Sequence, residues 1–275
     1  MIFEDRYIQI GMNNFHVRIH GQGKPLLALH GFSQSALTWE NLQLPGYQVF
    51  ALDFIGHGKS SKPKALEAYQ LSSILQELQK LVELLFHGEA YTLLGYSMGG
   101  RIALQFSLQF PEQPIEQLIL ESAAPGISDP LQREKRRQSD LELADQIEKN
   151  GAVWFADYWG ALPIFQSQNH LPQEVQYKVW SSRALNAPHA LAQTLRATGQ
   201  GNLPDISEAL QNLDMPLLYI TGALDQKYTQ IAAQFSTYKR AQSLIVEGAG
   251  HNVHLELPQH FNLILSNSLQ SRTML

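Results

Sequence analysis

The chain has 275 residues, 44% of them hydrophobic and 16% charged, which is enough apolar material for one large α/β domain or two smaller ones. A formal net charge of −5 gives no electrostatic basis for holding nucleic acid. With no cysteine, disulfides, thiolate metal sites and thiol nucleophiles are excluded. Met1-Ile2-Phe3-Glu4-Asp5 lacks the basic-then-apolar start of a signal peptide, and no apolar run approaches the ~18 residues of a spanning helix. A cytoplasmic, monomeric protein away from the membrane is the expectation.

Phe3 to Ile10 and Phe15 to His20 read as two antiparallel strands around Gly11-Met12-Asn13-Asn14. Gly21 to Pro25 reads as a loop, and the apolar run Leu26–Leu29 as a strand buried on both faces, ending in His30-Gly31-Phe32-Ser33. A short helix is expected around Leu37-Thr38-Trp39, then a strand over Tyr47–Leu52 that runs into a glycine-punctuated loop from Asp53 to Ser60. Tyr69 to Phe86 carries leucines, isoleucine and valine at helical spacing.

Next comes an apolar run, Tyr91–Leu94, then Gly95-Tyr96-Ser97-Met98-Gly99, then a helix-compatible run from Met98 to Phe110. G-x-S-x-G between strand and helix forms a tight turn that lifts a serine hydroxyl above the sheet edge. Another strand spans Ile115–Leu120. After it the texture changes: a charge-rich helix over Asp129–Lys149, an aromatic cluster from Trp154 to Phe165, and a second helical stretch from Glu174 to Leu195. No strand-like run interrupts residues 123–204, which read as a helical lid inserted between two strands. The alternation then resumes with a strand at Pro216–Thr221, a helix at Tyr228–Tyr238, a strand at Gln242–Glu247 and a helix at Pro258–Leu269. Together these predict a mostly parallel sheet covered by helices on both faces.

A serine hydroxyl at neutral pH needs a histidine to accept its proton and a carboxylate to hold that histidine. Asp225 follows one strand and His251 follows the next, in the chain order serine, acid, histidine. Each stands at a strand's C-terminal end, where open parallel sheets bind ligands. Two backbone N–H groups, of Met98 and Phe32, are the expected oxyanion hole. Asp225 could instead cap the following helix. Glu121, ending its strand, is the rival carboxylate, whereas Asp214 precedes its strand and sits at the wrong end. Among the ten histidines, His254 and His260 read as helix-surface or packing residues, and His57 and His30 as loop structure. No histidine pair has HExxH spacing, so no metal is expected.

At this point the chain is similar, over nearly its whole length, to the α/β-hydrolase superfamily. A narrower likeness lies in Gly95 to Arg101, Glu121 to Gly126, Arg133 to Asp140, Asp157-Tyr158-Trp159 with Pro163-Ile164-Phe165, Arg183 to Asn186, and Gly222 to Tyr228. These resemble the 2-succinyl-6-hydroxy-2,4-cyclohexadiene-1-carboxylate synthase family. The family's Trp-Tyr after the lid aspartate is here Tyr158-Trp159, and the Pro-x-Phe stands one residue later.

The resemblance implies an α/β-hydrolase core at 1–122 and 205–275 with a helical cap at 123–204. It implies pyruvate elimination in menaquinone or phylloquinone biosynthesis, on a small polycarboxylate, without cofactor. Arg136 and Arg183 then match substrate-binding arginines, and Tyr96, Tyr158 and Trp159 would form walls whose alternative is ordinary packing. Arg101 lies one helical turn after Ser97, where the helix dipole disfavours a cation, so an anion should compensate: substrate, or a nearby Glu or Asp. Arg133 and Arg137 suit a solvated helix face. The competing readings are a serine carboxylesterase, thioesterase or carbon–carbon-bond hydrolase, and a non-catalytic receptor on the same scaffold.

Overall fold

A computed structural model describes residues 2–235 and 238–270. Among these, eight strands form one sheet: β1 (Phe3–Ile10), β2 (Asn13–Gly21), β3 (Lys24–Leu29), β4 (Tyr47–Leu52), β5 (Tyr91–Tyr96), β6 (Ile115–Glu121), β7 (Leu217–Gly222) and β8 (Ala241–Val246). Their order is β1-β2-β4-β3-β5-β6-β7-β8. The β1–β2 and β2–β4 pairs are antiparallel and every other pair is parallel. Every residue of β5 and β7 is buried, as continuous apolar runs require when helices cover both faces. The strand order reverses at β3, which lies between β4 and β5, so the turns leaving β3 and β5 sit side by side, with Leu29 opposite Gly95. Such a switch point opens a crevice at the strands' C-terminal ends.

Helices α1 (Leu71–Phe86), α2 (Met98–Gln109) and α6 (Gln226–Phe235) pack on one face of the sheet. On the other lie α8 (Pro258–Gln270) and the 3-10 turn Ala36–Trp39. The apolar stripe of α1 (Ile74, Leu75, Leu78, Leu81, Val82) has the spacing that turns one helix face inward, and left-handed His87 ends the helix. A four-residue helix, α7 (Val253–Glu256), follows β8 and carries His254.

Between β6 and β7 the described residues form no strand. They form α3 (Pro130–Gly160), a 3-10 segment Pro163–His170, α4 (Gln173–Ala184) and α5 (Pro188–Thr198). Two expectations change here. The charge-rich helix does not stop at Lys149: Gly151 (φ 86°, ψ 175°) kinks it and the aromatic cluster continues as its second half. The stretch from Glu174 to Leu195 is two helices, because Pro188 has no N–H to continue α4 and instead occupies the first turn of α5. A cluster of its own (Ala144, Ile147, Phe155, Leu191, Ala192, Leu195) holds this cap together. Elsewhere the shifts are small: Asn13 and Asn14 belong to β2, Lys24 and Pro25 to β3, and α6 begins two residues early and is described to Phe235, residues 236–237 of the expected helix lying outside the described residues.

Asp53, just after β4, fastens the rim beneath the crevice. Its buried carboxylate accepts hydrogen bonds from His16 Nδ1 (2.7 Å), Ala36 N–H (2.6 Å) and Lys59 N–H (2.8 Å). Burial alone would raise its pKa, but the His16 bond, neighbouring His30 and the two amides outweigh burial and hold the carboxyl below its ordinary value. A depressed carboxyl contributes stability that is complete above the unfolded pKa of about 4 and is lost as pH falls through the folded value. Asp53→Asn is therefore expected to destabilise the protein by about 1–3 kcal/mol at pH 7, with the gap to wild type narrowing below about pH 4 in paired thermal melts.

Candidate active site

Ser97 stands between β5 and α2 with φ 50° and ψ −106°, a strained position for a residue with a side chain. The turn requires its two glycines. A Cβ on Gly95 would come within 2.6 Å of Gly100 backbone atoms, and one on Gly99 would collide with the carbonyl of Leu29. The Ser97 N–H is anchored on the Glu121 carbonyl at 2.8 Å.

From this perch Ser97 Oγ lies 3.1 Å from His251 Nε2. The Nδ1–H of His251 donates to Asp225 Oδ2 at 2.6 Å. His251 and Asp225 are 3% and 8% exposed, so this pair is withdrawn from water, while the serine faces a cavity. Asp225 makes both contacts weighed for it, because its Oδ1 also accepts the Tyr228 N–H at the start of α6 (3.3 Å). The His251 loop is tied by Glu256, whose carboxylate accepts the N–H groups of Gly250 (2.7 Å) and Asn252 (3.2 Å).

The cavity above Ser97 measures about 320 Å³ and lies between the sheet rim and the cap. Phe32 and Met98, whose N–H groups were singled out from the sequence, both line it. Met98 opens α2, so its N–H has no acceptor within the helix. Tyr96, Tyr158, Trp159, Arg101, Arg136 and Arg183 also line it, so every side chain expected at the pocket reaches it. Tyr96 is buried against His251, Trp159 packs on Phe32 and Phe155, and Tyr158 stacks on Trp154 and is 44% exposed, which places it at the rim.

The three guanidiniums differ. Arg136 is half-buried and already paired: Nε donates to Asp140 Oδ1 and Nη1 to Gln200 Oε1, each at 2.8 Å. Arg183 is 6% exposed and lies with its guanidinium 4.8 Å from the centre of the Phe165 ring. The Nη1 of Arg101 is buried without a hydrogen-bond partner. Among the described residues neither Arg101 nor Arg183 forms an ion pair with a carboxylate, so the salt bridge that could have explained Arg101 is not formed there. Burial is the main cause that lowers both pKa values to about 10. Both remain charged at neutral pH. Arg137, by contrast, pairs with Glu134 on the outer face of α3.

The other residues weighed from the sequence lie around the site rather than in it. Glu121 is fully buried and bonds His254, not His251, and of the two places weighed for His254, helix surface or packing, it takes the packed one, buried against Trp39. His260 is exposed as expected, and Asp214 pairs with Arg240 before β7, away from the crevice. His30 and His57 are buried loop histidines. Burial, followed by neighbouring His30, takes the His57 pKa down to about 3. Lys227 and Tyr228 line the cavity and were not singled out. Their signal was position: a helix beginning at Asp225 must turn its first residues toward His251, and the Tyr228 ring lies 4.6 Å from that imidazole. Burial, then Arg136 and Arg101 nearby, lowers the Lys227 pKa. Among the described residues no group of His, Asp or Glu could hold a metal ion, and no helix is long and apolar enough to cross a membrane.

Residues 24–258 match the family described as alpha/beta hydrolase fold. A provisionally named 2-succinyl-6-hydroxy-2,4-cyclohexadiene-1-carboxylate synthase from Bacillus subtilis (strain 168) is 33% identical over 90% of this chain and 90% of its own. The enzyme of that name from Enterobacter sp. (strain 638) is 31% identical over 91% of this chain and 95% of its own. The solved structure of MenH from S. aureus superposes with a TM-score of 0.87 at 29% identity, covering 96% of this chain and 100% of that one. By this likeness along nearly its full length, the chain belongs to the α/β-hydrolase fold superfamily and, within it, to the 2-succinyl-6-hydroxy-2,4-cyclohexadiene-1-carboxylate synthase family.

Proposed function

We propose that the protein eliminates pyruvate from 2-succinyl-5-enolpyruvyl-6-hydroxy-3-cyclohexene-1-carboxylate in menaquinone or phylloquinone biosynthesis, giving the product for which its relatives are named. The observation that carries this reading is the pair of buried guanidiniums, Arg101 and Arg183, facing the same cavity as Ser97 without a protein carboxylate to neutralise them. A neutral ester gains nothing from such groups. A substrate with three carboxylates supplies the missing anions, and planar guanidiniums bind carboxylates through two parallel hydrogen bonds.

The chemistry follows from the ring. The hydrogen on the carbon between the ring double bond and the succinyl ketone is acidic. Ser97 Oγ takes that proton as it passes its own to His251 Nε2, and Asp225 stabilises the imidazolium through Nδ1. Charge develops on the ketone oxygen, where the N–H groups of Met98 and Phe32 receive it. As the enolate collapses, the ring double bond shifts, the carbon–oxygen bond to enolpyruvate breaks, and the product is left with two conjugated double bonds. Enolpyruvate takes up a proton and becomes pyruvate. No acyl-enzyme is formed. Arg101, Arg136 and Arg183 orient the carboxylates so that the C–H bond points at Ser97.

The deciding experiment follows pyruvate release from the enolpyruvyl substrate beside hydrolysis of a simple aryl ester on one purified sample. Fast pyruvate release with negligible ester cleavage supports the synthase. The reverse supports a serine hydrolase, and neither activity supports a receptor. Arg136→Ala is expected to raise KM and lower kcat together, reducing kcat/KM about 10-fold or more, since it removes a charged hydrogen-bond donor from bound substrate. A steady-state comparison with wild type checks it.

A further inference from the structure

Glu121 is the last residue of β6 and is fully buried. Its backbone carbonyl accepts the Ser97 N–H at 2.8 Å. Its carboxylate reaches the other way: Oε1 accepts the His254 N–H at 3.0 Å, and Oε2 accepts His254 Nδ1–H at 2.6 Å. His254 is three residues past His251 and is the second residue of α7. Its Nε2 lies 2.7 Å from Thr38 Oγ1, in the turn that closes the Phe32 loop. The imidazole stacks on Trp39, 4.2 Å between centroids. Tyr96 bridges the two histidines, its ring 5.4 Å from His251 and 5.1 Å from His254.

One chain of hydrogen bonds, buried except at its Thr38 end, thus joins the three loops that carry the serine, the imidazole and the Phe32 amide. Removing two ionisable groups from water costs more than apolar packing would, so stability alone is a poor reason for such a pair. We propose that Glu121 and His254 are positioning residues, which set the distance from Ser97 Oγ to His251 Nε2 and the register of the Phe32 loop against both. They are not a second triad, for neither touches the cavity that holds the serine. The inference rests on Ser97 and His251 acting together and not on the identity of the substrate.

The test measures kcat and KM for pyruvate release, and the rate at which a fluorophosphonate phosphonylates Ser97, which reads the serine–imidazole geometry without the natural substrate. Glu121→Gln is expected to lower kcat about 10- to 100-fold with KM within about twofold, and to slow phosphonylation in proportion. In His254→Asn an amide can still donate to Glu121, so this variant is expected to retain more activity than His254→Leu. Thr38→Val breaks only the far end of the chain and is expected to cost less than Glu121→Gln. A folded Glu121→Gln enzyme with wild-type kcat and phosphonylation rate overturns the proposal, as does a rise in KM with kcat unchanged. Should Glu121→Gln fail to fold, wild-type rates in both His254→Asn and Thr38→Val overturn it instead. If the wild type is phosphonylated but releases no pyruvate, the proposed function fails, and the phosphonylation rates alone judge the positioning pair.

Discussion

Ser97→Ala is expected to lower kcat for pyruvate release by about 1,000-fold while leaving KM nearly unchanged. The first half follows from the loss of the hydroxyl that lines the cavity and lies 3.1 Å from His251 Nε2. Proton transfer by a positioned side chain contributes about 100- to 10,000-fold, and no other group stands ready to replace this one. The second half follows from where binding energy resides. In the proposed function the guanidiniums of Arg101, Arg136 and Arg183, which line the cavity, hold the carboxylates, and among the described residues none of them bonds the serine hydroxyl. Alanine at 97 must adopt the same strained backbone, so thermal stability should change little, and lost turnover cannot be ascribed to unfolding. His251→Ala should cost nearly as much, and the double variant little more than either, because the two groups act as a unit. Steady-state kinetics and thermal melts on the three variants measure this. A Ser97→Ala enzyme that keeps most of its rate would end the assignment of serine as base.

Arg101→Met should make the protein more stable and less active. The buried Nη1 has no partner, and burial brings the guanidinium pKa down to about 10, the sign of a cation held where the fold disfavours charge. The folded pKa lies below the unfolded one, so the cost of the charge is constant through neutral pH and disappears only as pH rises past about 10. Methionine fills similar space without charge. A gain of about 1–3 kcal/mol in the ligand-free protein is expected, and each kcal/mol corresponds to about 2–4 °C in Tm for a chain of this size. The same replacement removes a charged donor for a substrate carboxylate and should lower kcat/KM about 100-fold. Opposite movements of stability and activity are the mark of a residue kept for its ligand. A fall in both would show that Arg101 serves the fold.

The parts of this site legible in the sequence were those whose chemistry is local. Gly95, Ser97 and Gly99 need only each other and a strand before them to define the turn; Asp225 follows an apolar run that folds as a fully buried strand, and His251 follows the partly exposed edge strand β8. The cap was legible as helical from the absence of strand-like runs. Its division was harder, because helix-compatible residues run on past Gly151 and up to Pro188 with no clear apolar stripe to mark where the backbone breaks. What stayed hidden was long-range pairing. Nothing local joins Glu121 to His254 across 133 positions, so Glu121 read as a rival acid and His254 as a helix-surface or packing residue. The lack of a counter-ion at Arg101 is likewise a property of the packed structure, since any of several acidic residues in the chain could have met it.

The most direct measurement is single-turnover pyruvate release from substrate carrying deuterium on the carbon beside the succinyl ketone, with the mass of the protein followed in parallel. If Ser97 and His251 remove that hydrogen in the slow step, the deuterated substrate releases pyruvate more slowly, and no covalent adduct appears on Ser97. Equal rates for the two substrates, with an adduct accumulating on Ser97, would contradict the account and place the protein among acyl-transferring hydrolases.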